Sequence, residues 1–457
     1  MKLPVDIIGP QALGRSVSGR QETINMFPVI DPATGKKLMW TPGLRLFSSL
    51  GVPGRVRGLH VMNGVLYAVA GGGIYTVSRT GEAELVGSIP SGSGPVTMAD
   101  NGAALAVCDG AQLYTLEDGT VNNPTAASSV TYQDQVFIVS MPDSGEIRHS
   151  SLIGEGVEFD PLTSGSAEGH PDNVVRVLSD HRELWAFGTE TCEVFYNAGD
   201  SDFLFMRLPG GFLECGCGAV HSPAKIDNTV FWLDHAALVR RADGYTPLIV
   251  STDAISQEIK AMSTWTDAEG YTFHMDGHSF YVLAFPSGRK TFVFDIATSS
   301  WFRVSSGLDG GLHRGVGCVH VYGKNLMGGW SNGSIYDVSM DTLTENGAVI
   351  RRVRTAQPLF LKNGHTMIFR SFELDCRVGD GLVDGREPLV MLQYSDDTGR
   401  TWSTLKYKSI GATGKYKTRV IWRRLGRSKE RIFKVIVTDP VKFEIFGAYA
   451  EIEESTR

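Results

Sequence analysis

Apolar and polar residues alternate with period two along most of this chain, the spacing of strands that bury one face. Residues 56–89, VRGLHVMNGVLYAVAGGGIYTVSRTGEAELVGSI, read as four strands broken at Asn63-Gly64, Gly71-Gly72-Gly73 and Thr80-Gly81. Residues 96–121 repeat the grammar, with turns at Asn101-Gly102, Asp109-Gly110 and Asp118-Gly119. It restarts near Val130, Val174, His221, Tyr271 and Gly317. A restart every 30 to 50 residues or so is the period of a four-stranded propeller blade. Such a sheet has two apolar faces, and ranging several around an axis covers each face with a neighbour. The pattern predicts an all-β chain with a β-propeller of six or seven blades, seven slightly ahead, over residues 56–345. A stacked pair of β-sandwiches is the rival. One segment, TDAISQEIKAMST (252–264), has helical spacing, with Thr252 or Asp253 as the cap.

Beyond about residue 345 the strands lengthen, as in MIFRSFELDCRV, TRVIWRRLG and KFEIFGAYAEIE. About six of them in so short a stretch predict a C-terminal β-sandwich over 346–457. Residues 1–55 carry Pro and Gly without clear period and read as an extended arm.

Composition adds three constraints. The 457 residues leave room for two or three domains, and 53 glycines suit many tight turns. No apolar run reaches the length of a membrane helix, and MKLPVDIIGP is too broken for a signal peptide, so no membrane insertion is expected. Six scattered cysteines form no disulfide framework and suit a reduced, cytoplasmic site of assembly.

Charge is uneven. The net charge is −7, yet the window Arg400–Lys434 carries +11, leaving −18 elsewhere. In GKYKTRVIWRRLGRSKERIFK, alternation puts Lys415, Lys417, Arg419, Ile421 and Arg423 on one strand face. Tyr416 and Trp422 fall on the other, expected in the core. Arg424, Arg427, Lys429 and Arg431 crowd the following turn. This cluster is either a solvated edge that discourages strand pairing or a surface for DNA or an acidic partner.

The other candidates are weaker. SDDTGRTWS fits the Asp-box through Ser395, Asp397, Gly399, Thr401 and Trp402. Those residue types close a hairpin turn by themselves, so a structural role is expected. An Asp-box glycosidase or glycan-binding protein is the alternative, but no arginine cluster or paired acids are singled out for it. His274, Asp276 and His278 in HMDGH flank a hairpin turn, and Cys215-Gly216-Cys217 lacks a second pair, so neither predicts a metal. No glycine-rich loop leads into a phosphate-binding helix. No catalytic residue, cofactor or metal is expected.

The Asp-box phrase and the following SIGATGKYKTRVIWRRLGRSKERIFKVIVTDPVKF resemble the C-terminal region of packaged-DNA stabilisation proteins of short-tailed bacteriophages, also called tail-hub or nozzle proteins. SVSGRQETINMFPVIDPATGKKLMWTPGL resembles that family's opening, through Asn25, Phe27-Pro28 and Thr41-Pro42-Gly43-Leu44. The resemblance implies a non-enzymatic virion protein of the tail, assembled in the host cytoplasm. It implies a homo-oligomeric ring, usually a hexamer, below the portal and adaptor. Such a ring retains packaged double-stranded DNA without sequence preference, forms part of the ejection conduit, and docks needle, fibre or tailspike proteins.

Overall fold

The computed structural model describes residues 1–9, 22–31, 35–122, 124–152, 157–167, 169–200, 203–361 and 363–455. Parts of the opening phrase, residues 16–21 and 32–34, lie outside them. The chain divides into two compact units, one of residues 46–289 and 314–338, the other of 1–45, 290–313 and 339–457.

The first unit is the propeller. Five meanders, at 56–88, 97–126, 129–166, 174–213 and 224–249, each form one antiparallel sheet. A sixth sheet, of Gly315–Val321, Lys324–Gly329 and Ser334–Ser339, is completed by Gly43–Ser49. The hairpin Glu269–Met275/His278–Phe285 stands between the fifth and sixth blades, so seven inner strands surround the axis. The propeller therefore has six blades, against the seven that the restarts slightly favoured; the restart near Tyr271 is a hairpin that supplies an inner strand only.

Side chains and main chain stitch that ring together. Val96 N–H donates to Arg57 O (3.0 Å), Val130 N–H to Thr97 Oγ1 (3.1 Å), and Val177 N–H to Ser129 Oγ (2.9 Å). Lys225 Nζ reaches Ser179 O (2.9 Å), Thr272 Oγ1 reaches Lys225 O (3.0 Å), and Tyr271 OH reaches Gly315 O (3.3 Å). Between blades the apolar faces interlock. Trp185 and Phe187 of the fourth blade meet Trp232 of the fifth at 6.5 and 5.6 Å between ring centroids. Each such buried aromatic stabilises the blade contact by roughly 2–3 kcal/mol.

Six of the seven inner hairpins close at one end of the axis through two-residue turns with positive φ, the twist that matches paired strands; the second blade's, at Asn101-Gly102, is longer. Asn63-Gly64 (52° and 74°) and Asp276-Gly277 (49° and 80°) follow the sequence signal. Asp134-Gln135, His181-Arg182 and Asp227-Asn228 adopt the same geometry without glycine. The expected helix forms over Asp253–Lys260, with Thr252 accepting from Ile255 N–H and Ile255 and Ile259 buried.

The second unit is the sandwich. One sheet runs Met26–Asp31, Gly35–Trp40, Ile445–Ser455, Thr366–Cys376 and Val420–Arg423. The facing layer includes Thr23–Ile24, Arg352–Thr355, Glu430–Val437, Leu389–Ser395 and Lys406–Ser409. Phe369, Phe372, Trp422 and Phe433 fill the space between, and Phe372 stacks on Phe433 at 4.4 Å. The strand-forming residues 23–40 therefore belong to sandwich sheets, and 43–49 to a propeller sheet.

Candidate functional site

The basic strand Val420–Arg423 is the edge of its sheet, paired on one side only, to Thr366–Cys376. Alternation works as expected over these four residues: Val420 and Trp422 are buried, and Arg423 is exposed. Trp422 Nε1–H donates to Lys406 O at 2.8 Å, which fixes the ring in the core. Residues 411–419 are not strand but a turn, held by Thr418 Oγ1–H to Lys415 O at 2.8 Å. Tyr416, expected in the core, stands on that turn and is 71% exposed, because period-two alternation does not extend across it.

The eight cations fall into three environments. Arg431 is buried. Its Nε and Nη2 donate to the two carboxylate oxygens of Asp396 at 2.6 and 2.7 Å, and Nη1 donates to Leu425 O at 2.6 Å. Its guanidinium lies between the rings of Phe369 (4.3 Å) and Tyr394 (4.0 Å). Arg431 is thus a core element and presents no charge to a partner. Arg419 is exposed and pairs with Glu373 at 2.8 Å, a carboxylate shared with Lys2. These two cations hold the Glu373 carboxyl below its ordinary range. Lys415, Lys417, Arg423, Arg424, Arg427 and Lys429 are exposed, and their charged groups have no partner among the described residues. Arg424 sits at φ +57°, followed by Gly426 at +82°, a tight turn that fans Arg423, Arg424 and Arg427 outward.

The Asp-box forms a self-contained loop. Asp397 accepts from Thr401 N–H at 2.9 Å and Thr401 Oγ1–H at 2.6 Å, and from Ser395 Oγ–H at 2.7 Å. Gly399, at φ +90°, donates its N–H to Ser395 Oγ at 2.8 Å. These donors pull the Asp397 carboxyl down to about 2, the Thr401 hydroxyl contributing most. Trp402 stacks under Lys434, whose Nζ is 3.7 Å from the ring centroid. The side-chain oxygens of Ser395, Asp397 and Thr401 are all engaged inside their own turn.

His274 and His278 lie on opposite arms of the Asp276-Gly277 turn; His274 bonds Ser279 Oγ at 2.9 Å. Cys215 and Cys217 are free, buried thiols, pushed up to about 11 chiefly by burial. Among the described residues, no group of three or more His, Cys, Asp or Glu could hold a metal, and no helix is long and apolar enough to cross a membrane.

Sequence reasoning passed over a second charged site, a cavity of about 240 Å³ on the propeller axis. It lies where the inner strands begin, away from their hairpin turns. Arg55, Arg57, Arg176, His221 and Glu269 supply its ionisable groups, with Tyr271 and Cys318 beside them. Arg55 forms a two-pronged pair with Glu269 at 2.5 and 2.6 Å and lies over the Trp330 ring at 4.3 Å. Arg57 donates to Gly94 O and Gly71 O at 2.7 and 2.8 Å. Arg176 Nε and Nη1 are buried with no hydrogen-bond partner. Burial, reinforced by Arg176 and Arg55, pushes the His221 imidazole down to about 3, so it is neutral. The one available signal was a cation inside an apolar inner strand, as in Val175-Arg176-Val177.

Residues 20–343 match the family model described as bacteriophage P22 Gp10, β-propeller, and residues 352–453 match the one described as bacteriophage P22 Gp10, β-sandwich. No curated protein matches the chain significantly. Among solved structures, the computationally designed Ika8 protein is 13% identical, with a TM-score of 0.41, covering 73% of this chain and 100% of its own. The N-terminal domain of Nup159 is 10% identical, with a TM-score of 0.41, covering 70% and 98%. PorZ, of the type-IX secretion system of Porphyromonas gingivalis, is 11% identical, with a TM-score of 0.40, covering 79% and 46%.

Proposed function

Because this chain belongs to the bacteriophage P22 Gp10 family of packaged-DNA stabilisation proteins, we propose that it is a non-enzymatic tail-hub subunit of the virion. In this reading several copies, six in the usual arrangement, form a ring below the portal and adaptor. The ring retains packaged DNA, serves as part of the ejection conduit, and docks needle, fibre or tailspike proteins on its far side. Assembly takes place in the host cytoplasm.

The observation that carries the reading is the match to both family domains, in order, over nearly the whole chain. Two features of the chain support it. Outside the basic window the net charge is −18, which would let DNA slide past without adhering. The six unpartnered cations along the sandwich edge and its turns supply a long-range field without base-reading geometry, suited to an acidic neighbour or to DNA phosphates. The Asp-box favours no glycosidase, since Asp397 spends its acceptor capacity on its own turn.

Electron cryomicroscopy of particles carrying this chain tests the proposal. The expected result is a ring of copies around a DNA-wide channel, joined to the portal assembly. Particles that hold the chain as isolated copies remote from the portal would overturn it. The cationic edge is tested separately by Arg423→Glu, Arg424→Glu and Arg427→Glu combined. Loss of particle assembly or DNA retention is expected, and normal particles would reduce the cluster to edge protection.

A further inference from the structure

The axial cavity holds more positive charge than it can neutralise. Glu269 is the one carboxylate in its lining, and Arg55 already engages both oxygens. Arg57 spends two donors on main-chain carbonyls, and the Asp109 carboxylate, outside the cavity lining, only partly offsets the burial of its charge. Arg176 has two buried nitrogens with no acceptor. His221 is neutral at physiological pH and offers a polar group without adding charge. Arg176 is half-buried, and its Nε and Nη1 are shielded from water; guanidinium nitrogens shielded without an acceptor are unfavourable, and such groups are retained where something else completes them.

We propose that the axial cavity is a binding site for one small oxyanion, a phosphate or a carboxylate, held in the fork of Arg176 with the charge of Arg57 beside it. The guanidinium plane presents paired N–H donors at the spacing of two oxygens on one phosphorus or carbon. At about 240 Å³ the cavity admits an ion of that size and excludes a nucleic-acid duplex. The site is therefore distinct from any DNA-facing surface on the sandwich, and it does not depend on the tail-hub reading. Its occupant would tie the strand Val174–Asp180 to the start of Val56–Met62, reinforcing the ring of blades from within.

The test is thermal unfolding of the full chain at pH 7 and fixed ionic strength, in chloride, phosphate or acetate. Wild type is expected to melt about 2 °C or more higher in phosphate or acetate than in chloride, as binding to the native state alone requires. Whichever anion acts identifies the source. Arg176→Met should melt no lower than wild type in chloride and should lose the anion increment. Arg176→Lys, a milder change should the first variant fail to fold, keeps a charge without the fork and should lose most of it. The combined Arg423→Glu, Arg424→Glu and Arg427→Glu variant should keep the full increment, which separates this site from the sandwich edge. The proposal is overturned if wild type melts equally in all three salts, or if a folded Arg176 variant keeps the increment.

Discussion

Two arginines at the ends of this molecule's range of solutions, Arg431 in the sandwich and Arg176 in the propeller, show what decides whether a buried cation holds a fold together. Arg431 enters its core with a carboxylate, a carbonyl and two aromatic faces already in place. Arg176 enters the propeller axis with two nitrogens unanswered. Arg431 is fully buried and Arg176 half-buried with two shielded nitrogens, and the partners differ. The sandwich brings two strands of one sheet together at Asp396 and Arg431, so the counter-charge is built by strand pairing. The propeller axis gathers side chains from separate blades, and among the described residues lining the cavity Arg55 and Glu269 are the one ion pair. Arg352 shows that the contrast is local to each residue, since it lies in the sandwich and still leaves Nε and Nη2 without partners.

The sharpest way to break the comparison is Asp396→Ala, which strands the Arg431 charge in the sandwich core. It should lower stability by about 3 kcal/mol, read as a fall in the denaturant midpoint at unchanged slope. Glu269→Gln should follow closely. It removes the one carboxylate among the described residues that line the axial cavity, with a loss of about 2–3 kcal/mol measured the same way. Arg176→Met should move stability the other way or leave it level, by at most about 1 kcal/mol in chloride, because it removes a cost rather than a partner. An equal loss in Arg176→Met and Asp396→Ala would end the distinction between the two arginines.

Smaller effects sharpen it further. The Asp397 carboxyl is depressed to about 2 in the folded chain, against about 3.9 when unfolded. Its contribution is therefore complete above about pH 4 and lost as pH falls through about 2. Asp397→Asn should melt lower than wild type at pH 7, and the gap should close on acidification through that window. Reversal of Arg423, Arg424 and Arg427 should be the mildest change in the isolated chain, within about 0.5 kcal/mol, since these side chains touch nothing that their loss would orphan.

These contrasts trace what was legible in the chain. Turns written with Asn-Gly or Asp-Gly fell where expected, because glycine at positive φ is a local requirement. His181-Arg182 and Asp134-Gln135 make the same turn under the compulsion of the ring, and no local rule marks them. The helix at Asp253 carried its own cap and face. The Asp-box was legible because all its bonds span at most four residues. Arg431 was misread as turn charge because its partners, Phe369 and Asp396, lie 62 and 35 residues away in sequence. Alternation alone assigned Tyr416 to the core, and a turn of Gly and Thr residues intervened. The axial cavity draws on inner strands from Arg55 to Cys318, and no window of sequence contains it.

The hairpin Met26–Asp31/Gly35–Trp40 finds its sheet partner at Ile445–Ser455, where Leu38 lies opposite Ile445. During translation that hairpin leaves the ribosome about 400 residues before its partner. At about 5–20 residues per second the wait is roughly 20–80 s. For that time an apolar strand edge has nothing to pair with, while the propeller meanders, local in sequence, are free to form. The sandwich is therefore the last part of each copy to mature, and a chain arrested early carries a sticky edge that a neighbour on the same message could seize.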